Sequence, residues 1–368
     1  MQQAVLSCVR HQAPERLASE DDAIVALAGD RRFPPSKLAI LVDELQAQGL
    51  DAEVALAGTG LTVETLRDPF TLTSCAQFMR ACRQALKVYP GDDLGLRMGC
   101  RFRASSYGMY GYALLCSESV RKMWDRAMAY HPLSGGLLPL RWAQERDVAV
   151  WTFPDRGSFP WPDVDERLYR FIMDLQLAAH VTIGKDVMGP WFVPAAATLV
   201  GAAPAHLARI EAVLQCPVRV DESRNSLVFP ADWLERAPQL ANPFTASHVS
   251  LQCARLLDEL RWNAPTTRKV YEEITRQPGC FPDVEDVAAR LCMTSRTLRR
   301  HLDAEGVSYS DLLTTVRKRL AIDYLVGTQM RAEDIAEALD FADVAAFRHA
   351  FKRWTGLTPR AYREAQVC

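Results

Sequence analysis

The chain has 368 residues, 49% hydrophobic and 24% charged, the balance of a globular protein long enough for two or three domains. Its net charge is −2, with +1 beyond residue 264 and −3 before it, so a wholesale polycation such as a histone is excluded and any surface for a polyanion must be local. "MQQAVLSCVRHQAPERLASEDD" has no basic start and no apolar core, no apolar run of about 18 residues occurs, and the ten cysteines include no CxxC pair; the expectation is a cytoplasmic chain with reduced thiols, no signal peptide, no membrane span, no metal and no cofactor.

Residues 1–25 read as a tail, and residues 20–90 as mostly helical. In "PPSKLAILVDELQAQGL", Ser36 is a candidate N-cap after Pro34 and Pro35, and Gly49 a stop. In "SCAQFMRACRQALKVYPG" the apolar spacing runs through Cys75, Phe78, Cys82 and Leu86; the two cysteines share a face and read as small core residues rather than a metal or redox pair. "DDLGLRMGCRF" predicts a short helix ended by Gly99. "YGMYGYALLCSESVRKMWDRAMAYHPL" is Gly- and Tyr-rich first, then predicts a helix capped by Ser117 with Val120, Met123, Trp124 and Ala127 on one stripe.

From 138 to 200 the character changes. "LPLRWAQERDVAVWTFPD", "WFVPAAATLV", "VRVDES" and "NSLVFP" predict strands, with helices at "LYRFIMDLQLAAHVTIG" and "AHLARIEAVL". The mixed segment carries Trp142, Trp151, Trp161 and Trp191, a pattern that suits an aromatic core and equally the wall of a ligand site. Residues 242–263 predict a helix presenting Leu256, Leu257 and Leu260 to a partner element, as a dimer helix or a connector, and "APTTRKV" follows as a boundary. Beyond it only helices are predicted.

The last hundred residues contain a repeat. "DVAARLCMTSRTLRRHL" from Asp286 and "DIAEALDFADVAAFRHAF" from Asp334 each open with an acid, a β-branched residue and Ala, place a Leu five residues on (Leu291, Leu339), break, and resume with apolar anchors four apart, Leu298/Leu302 and Phe347/Phe351. Two short helices around a tight turn form a helix-turn-helix unit, and two copies are far more specific than one. Thr294 suits an N-cap. At about 100° per residue, burying Leu298 and Leu302 turns Arg296 and Arg300 directly outward, with Arg299 and His301 at the flanks and Thr297 toward the outer side. Outward guanidiniums near a helix N-terminus suit bidentate contact with guanine in a major groove, and flanking cations suit phosphates. In the second copy the outward residues are Ala345, His349 and Lys352, with Arg348 to the side. "RKR" at Arg317–Arg319 lies on the long helix between the copies and reads equally as backbone contact or as solvated face.

Residues from about 281 to 363, through "SRTLRRHL", "GVSYSDLLTTVRKRLAIDYL", "DIAEALDF" and "AAFRHAFKRWTGLTPRAYR", resemble the DNA-binding domain of the AraC/XylS family of bacterial transcription regulators. Residues 30–220 resemble more loosely the arabinose-binding type of effector domain in one branch of that family, best in "YGYALLCSESVRKMWDRAMAYHPL". One departure is Asp340, where the family usually has Gly; Asp tolerates the left-handed conformation better than most residues. The resemblance implies two helix-turn-helix units reading successive major grooves, and an N-terminal domain that binds a small molecule and often dimerises.

The fold class expected is thus an α+β effector domain followed by an all-α DNA-binding domain with two helix-turn-helix motifs. The domains expected are 26–240 for the effector, 241–265 for a connecting helix and linker, and 266–368 for DNA. The function expected is a sequence-specific regulator, an activator, that meets double-stranded DNA, a small-molecule effector, RNA polymerase and a second copy of itself, with no membrane partner. Tyr107, Tyr110, Tyr112, Arg141, Trp142, Trp151 and Trp161 are the expected effector residues, with Arg141 facing a carboxylate. The alternatives are an enzyme domain fused to this module and a ligand-independent DNA-binding regulator. No GxSxG, HExxH, zinc-spaced cysteine cluster or glycine-rich phosphate loop supports the enzyme; "AGTGL" at Ala57–Leu61 is short and follows no clear strand, so no catalytic residue is expected.

Overall fold

The structure, a computed structural model, describes residues 29, 31–68, 70–161, 163–261, 265–277 and 279–367. The tail read over 1–25, and Ala264 at the head of the expected boundary, lie outside the described residues. The chain divides into two compact units, Met1–Leu257 and Asp258–Cys368, with separate apolar cores. The first is α+β and the second is helical.

The first unit opens with helices α1 (Ser36–Ala47), α2 (Ala52–Leu56), α3 (Cys75–Val88) and α4 (Leu94–Gly99). Helix α1 buries Leu38, Leu41, Val42 and Leu45, one face at helical spacing. Ser36 is not its cap: Pro35, whose fixed φ suits helix entry, takes that position, and the Ser36 hydroxyl donates to the Ser106 carbonyl at 3.4 Å. Ser74 caps α3 in a reciprocal box with Gln77, and Cys75 and Cys82 are buried free thiols on its inner face. Gly99 does end α4, but with Gly95 it also lets α4 lie against the backbone of α7 (Glu166–Met188), where a Cβ would meet the Phe171 and Leu175 carbonyls.

Next come α5 (Gly108–Leu115) and α6 (Val120–Ala129). The cap of α6 is Ser119, which accepts from the Lys122 amide; Ser117, expected in that role, instead donates to the Ala113 carbonyl at 2.6 Å and finishes α5. Val120, Met123 and Trp124 of the expected stripe are buried. Gly111 has a packing cause, because a Cβ there would run into the Ala104 carbonyl.

Five strands, β1 (Arg141–Glu145), β2 (Val148–Phe153), β3 (Ala196–Thr198), β4 (Val218–Arg219) and β5 (Asn225–Pro230), form one sheet in the order β1-β2-β5-β3-β4. Only the β3–β4 pair is parallel, and the helix between those strands, α8 (Leu207–Leu214), supplies the crossover. Trp151 pairs with Trp142 on β1 and Leu227 on β5. Alternation sends Ala149, Trp151, Phe153, Leu227 and Phe229 into the main core, while Val148, Val150 and Val228 make a small cluster on the opposite face. Helix α9 (Pro243–Arg261) lays Val249 and Cys253 on Ala113 of α5, and Tyr130 donates to the Ser250 carbonyl at 3.1 Å. Of the leucines expected to face a partner element on α9, Leu256 is 38% exposed.

The second unit comprises α10 (Pro265–Thr275), α11 (Val284–Arg290), α12 (Ser295–Ala304), α13 (Tyr309–Gly327), α14 (Ala332–Ala338), α15 (Val344–Thr355) and α16 (Pro359–Val367). It has two cores. Val270, Ile274, Val287, Leu298, Leu302, Leu312 and Val316 make one; Ala321, Leu325, Ile335, Leu339, Phe347 and Phe351 make the other. Helix α13 contributes to both and links them. Each repeat folds as two helices with a left-handed residue at the turn: Cys292 in the first and Asp340 in the second, both at φ 56°. Asp340 thus occupies the conformation for which Gly is usual.

Candidate nucleic-acid interface and internal cavity

Helix α12 begins where the sequence places it. Thr294 caps it by accepting from the Thr297 amide, and its hydroxyl lies 2.9 Å from that of Thr297. Leu298 and Leu302 are fully buried, so helical geometry leaves Arg296, Arg299 and Arg300 exposed and Thr297 and His301 half-buried. Arg296 and Arg300 have no hydrogen-bond or ion-pair partner among the described residues. In α15, capped by Asp343, burial of Phe347 and Phe351 leaves Ala345, Arg348, His349 and Lys352 exposed.

The repeat extends to an ion pair that the sequence reading missed. Arg299 meets Glu285 at 3.2 Å and Arg348 meets Glu333 at 3.0 Å, each joining the second helix of its unit to the first. The two pairs are equivalent, because the glutamates precede the repeat's opening acids and the arginines follow Leu298 and Phe347. Solvent screens both, so each adds well under about 1 kcal/mol of stability, but each aims a guanidinium along the outer rim.

Arg317 departs from both readings of "RKR". It is mostly buried, stacks over Phe281 at 4.7 Å and Phe341 at 5.5 Å, and pairs with Asp340 at 3.1 Å. Phe281 packs against both cores of the second unit, so Arg317 fastens the turn of the second helix-turn-helix to the junction of those two cores. Arg319 donates to the Tyr271 hydroxyl at 2.9 Å.

In the first unit α5, α6, α7 and the sheet enclose a cavity of about 90 Å³. Of the residues expected there, Tyr107, Tyr110 and Trp151 line it. The other four do not. Tyr112 lies on the opposite side of α5 from Tyr110 and Leu114 and is 55% exposed. Arg141 is exposed on β1, because alternation that turns Trp142 inward turns its neighbour outward. Trp142 packs edge-on against Trp124 at 5.2 Å, behind the lining, and Trp161 donates its indole N–H to the Leu137 carbonyl at 2.7 Å.

The cavity's polar groups are ones the sequence reading passed over: Lys37, His131, Gln176 and His180. Lys37 shares a helix face with Ile40 and Leu41, and His180 shares one with Met173, Leu177, Ile183 and Gly184; a charged or titratable residue on so apolar a face is the signal that marks them. The Lys37 ammonium donates to the Gly135 carbonyl at 2.8 Å. Desolvation lowers its pKa to about 8, against a smaller opposing influence of the Cys75 and Cys82 thiols. Burial lowers His131 to about 3, with Lys37 and His180 adding to the effect, and lowers His180 to about 4. His180 donates from Nδ1 to the Gln176 carbonyl at 2.7 Å, leaving Nε2 as an acceptor, and its ring stands edge-on to Trp151 at 5.3 Å.

Two helix-turn-helix units on one long helix, each with an exposed cationic second helix, define a DNA-binding transcription regulator. Residues 49–238 match the family model described as the arabinose-binding N-terminal domain of AraC transcription regulators, and residues 287–365 match a helix-turn-helix domain. The chain is 31% identical to the ornithine utilization regulator of Pseudomonas aeruginosa, over 88% of this chain and 94% of that one. It is 28% identical to the transcriptional regulator VqsM of the same species, over 76% and 86%. The crystal structure of CdpR, also from Pseudomonas aeruginosa, covers 95% of this chain and 100% of its own, with a TM-score of 0.44 and 21% identity. The chain belongs to the AraC family of transcription regulators.

Proposed function

We propose that the protein is an effector-controlled activator: a small molecule taken into the first unit changes how the second engages promoter DNA. The observation that carries this reading is the construction of the cavity wall. Tyr110 and Leu114 of α5 and Ala127 and Met128 of α6 line the cavity, while Met109 and Ala113 of α5, and Tyr130 just after α6, hold the middle of α9 at Val249, Ser250 and Cys253. Helix α9 spans the division between the units at Leu257 and Asp258, so a ligand that moves α5 or α6 biases the segment that joins them in the chain. In this reading residues 26–240 are the effector domain, 241–265 the connector and 266–368 the DNA-binding domain, acting in the cytoplasm as a homodimer that contacts RNA polymerase, with no enzymatic activity. No helix among the described residues is long and apolar enough to cross a membrane.

Within the DNA-binding domain the two units divide the work. Thr294, Arg296, Thr297 and Arg300 read bases, with His301 at the flank. Arg299, Arg348 and Lys352 meet phosphates, and His349 and the Ala345 methyl offer the second unit only single contacts. Binding-site selection tests the division. Arg296→Ala and Arg300→Ala should each cost about 1–3 kcal/mol on the preferred site and relax one base pair. Lys352→Ala should weaken all sequences alike and lower the salt slope by roughly one unit. Sharp preference confined to the second half-site, unmoved by the arginine variants, defeats it. For effector control, Ala179→Leu places bulk in the cavity wall; a reporter promoter that responds identically to this variant and to wild type rejects it. The relative named for ornithine utilization favours one second reading, an amino-acid effector, which ornithine itself tests.

A further inference from the structure

We propose that the cavity takes a small organic monoanion, a carboxylate on an apolar or aromatic body, with the Lys37 ammonium as its counter-ion; this rests on the effector reading above. Three observations carry it.

The first is charge. Among the described residues Lys37 is the lining's one cationic side chain, and no Asp or Glu lines the cavity. Two buried acids on the helices that supply Lys37 and His180 are occupied elsewhere: Glu44 of α1 by Arg101 at 2.6 Å, and Asp174 of α7 by His206 at 2.7 Å. Every other titratable group facing Lys37 or lining the cavity is held neutral: burial raises the Cys75 and Cys82 thiols of α3 and the Tyr107 and Tyr110 phenols, and lowers the His131 and His180 imidazoles. Lys37 also sits in the first turn of α1, which carries no acidic residue and whose dipole adds positive character. An ammonium in these surroundings lacks a counter-ion, and a bound anion supplies one.

The second is unspent polar capacity. The Lys37 ammonium makes one hydrogen bond, to the Gly135 carbonyl, and has two N–H groups left. The His131 ring, the Gln176 amide and the Tyr107 hydroxyl have no hydrogen-bond partner among the described residues, and all three line the cavity. Convergent unsatisfied donors in an apolar box mark a site waiting for an acceptor.

The third is the body of the site. Trp124, Trp151, Phe192 and Phe229 form its apolar wall, with Trp124 edge-on to the other three at 5.3–6.4 Å. A volume of about 90 Å³ holds roughly six to nine water-sized groups. That suits benzoate or a short fatty acid better than a long acyl chain. Ornithine also offers a carboxylate to Lys37, but its two ammoniums find no acidic side chain among the described lining residues.

The experiment is calorimetric titration of the full chain with benzoate, hexanoate, benzyl alcohol and ornithine, in wild type, Lys37→Gln and Lys37→Met. We expect wild type to bind an acid, each variant to weaken it roughly ten- to a hundredfold, and benzyl alcohol to bind wild type and variants alike. Wild-type affinity for the acid should fall by up to about tenfold per pH unit above pH 8, as the amine loses its proton; Lys37→Met should show no such dependence. That profile uses wild type alone and decides the matter even if a variant fails to fold. Equal acid affinity in wild type and variants removes Lys37 as anchor. Binding of ornithine and not of either acid overturns the ligand class while leaving effector control intact. No binding by any probe also overturns the class; the Ala179→Leu reporter, unchanged or changed, then says separately whether effector control falls with it.

Discussion

The Arg317 clasp makes a quantitative prediction, because its parts can be removed one at a time. Arg317→Ala removes two ring contacts, at 4.7 and 5.5 Å, the pair with Asp340 and the packing of the side-chain stem. Partly desolvated cation–π contacts contribute about 0.5–2 kcal/mol each. The ion pair is screened, since the Asp340 side chain is 67% exposed, and contributes about 0.2–1 kcal/mol. With the stem, the expected loss is about 2–4 kcal/mol. Asp340→Gly removes the same ion pair but relieves the left-handed φ of 56°, worth about 1 kcal/mol, so it should come out near neutral or slightly stabilising. Asp340→Ala raises the backbone cost, because Ala tolerates the left-handed region less well than Asp, and loses the pair, a net loss of about 1–2 kcal/mol. Urea unfolding of the full chain, followed through the transition of the second unit, measures all three, and the Arg317→Ala/Asp340→Gly double variant gives the coupling. If Arg317→Ala costs less than about 0.5 kcal/mol, the guanidinium is not a clasp. If Asp340→Gly costs as much as Arg317→Ala, the carboxylate and not the ring stack holds the turn.

The remaining expectations are simpler. His131 and His180 titrate near 3 and 4 in the folded chain against 6.5 ordinarily, so their contribution is intact above pH 6.5 and is lost as pH falls toward 4, at up to about 1.4 kcal/mol per pH unit for each; melting of His131→Gln and His180→Gln should be less acid-sensitive than that of wild type. For Lys37, at about 8 against 10.5, the folded chain should gain stability as pH rises from 8 to 10.5, and Lys37→Met should abolish that gain. Thr294→Ala should cost about 1 kcal/mol through loss of the α12 cap and weaken DNA binding with it, both measurable by melting and gel shift. Phe347→Ala, at a fully buried site, should cost about 3–5 kcal/mol and unfold the second core, seen as lost helical circular dichroism.

The repeat was legible in the sequence because a surface helix writes its buried face at a spacing of three and four residues. Leu298/Leu302 and Phe347/Phe351 each fix one face, and the exposed side of α12 and α15 follows from that choice alone. The Thr294 cap is local chemistry, and so is the tolerance of Asp340 for its turn. Strand alternation was equally present, and it turns Arg141 outward because its neighbour Trp142 points inward. What lay beyond the sequence is whatever depends on chains far apart meeting. Lys37, His131 and His180 come together from α1, the turn after α6 and α7, and no local periodicity links them. Arg317 reads as one more solvated cation until Phe281 and Phe341 close over it. A buried charge is a property of its surroundings, and only packing creates the low dielectric that makes a lone lysine a binding group and a lone arginine a fastening.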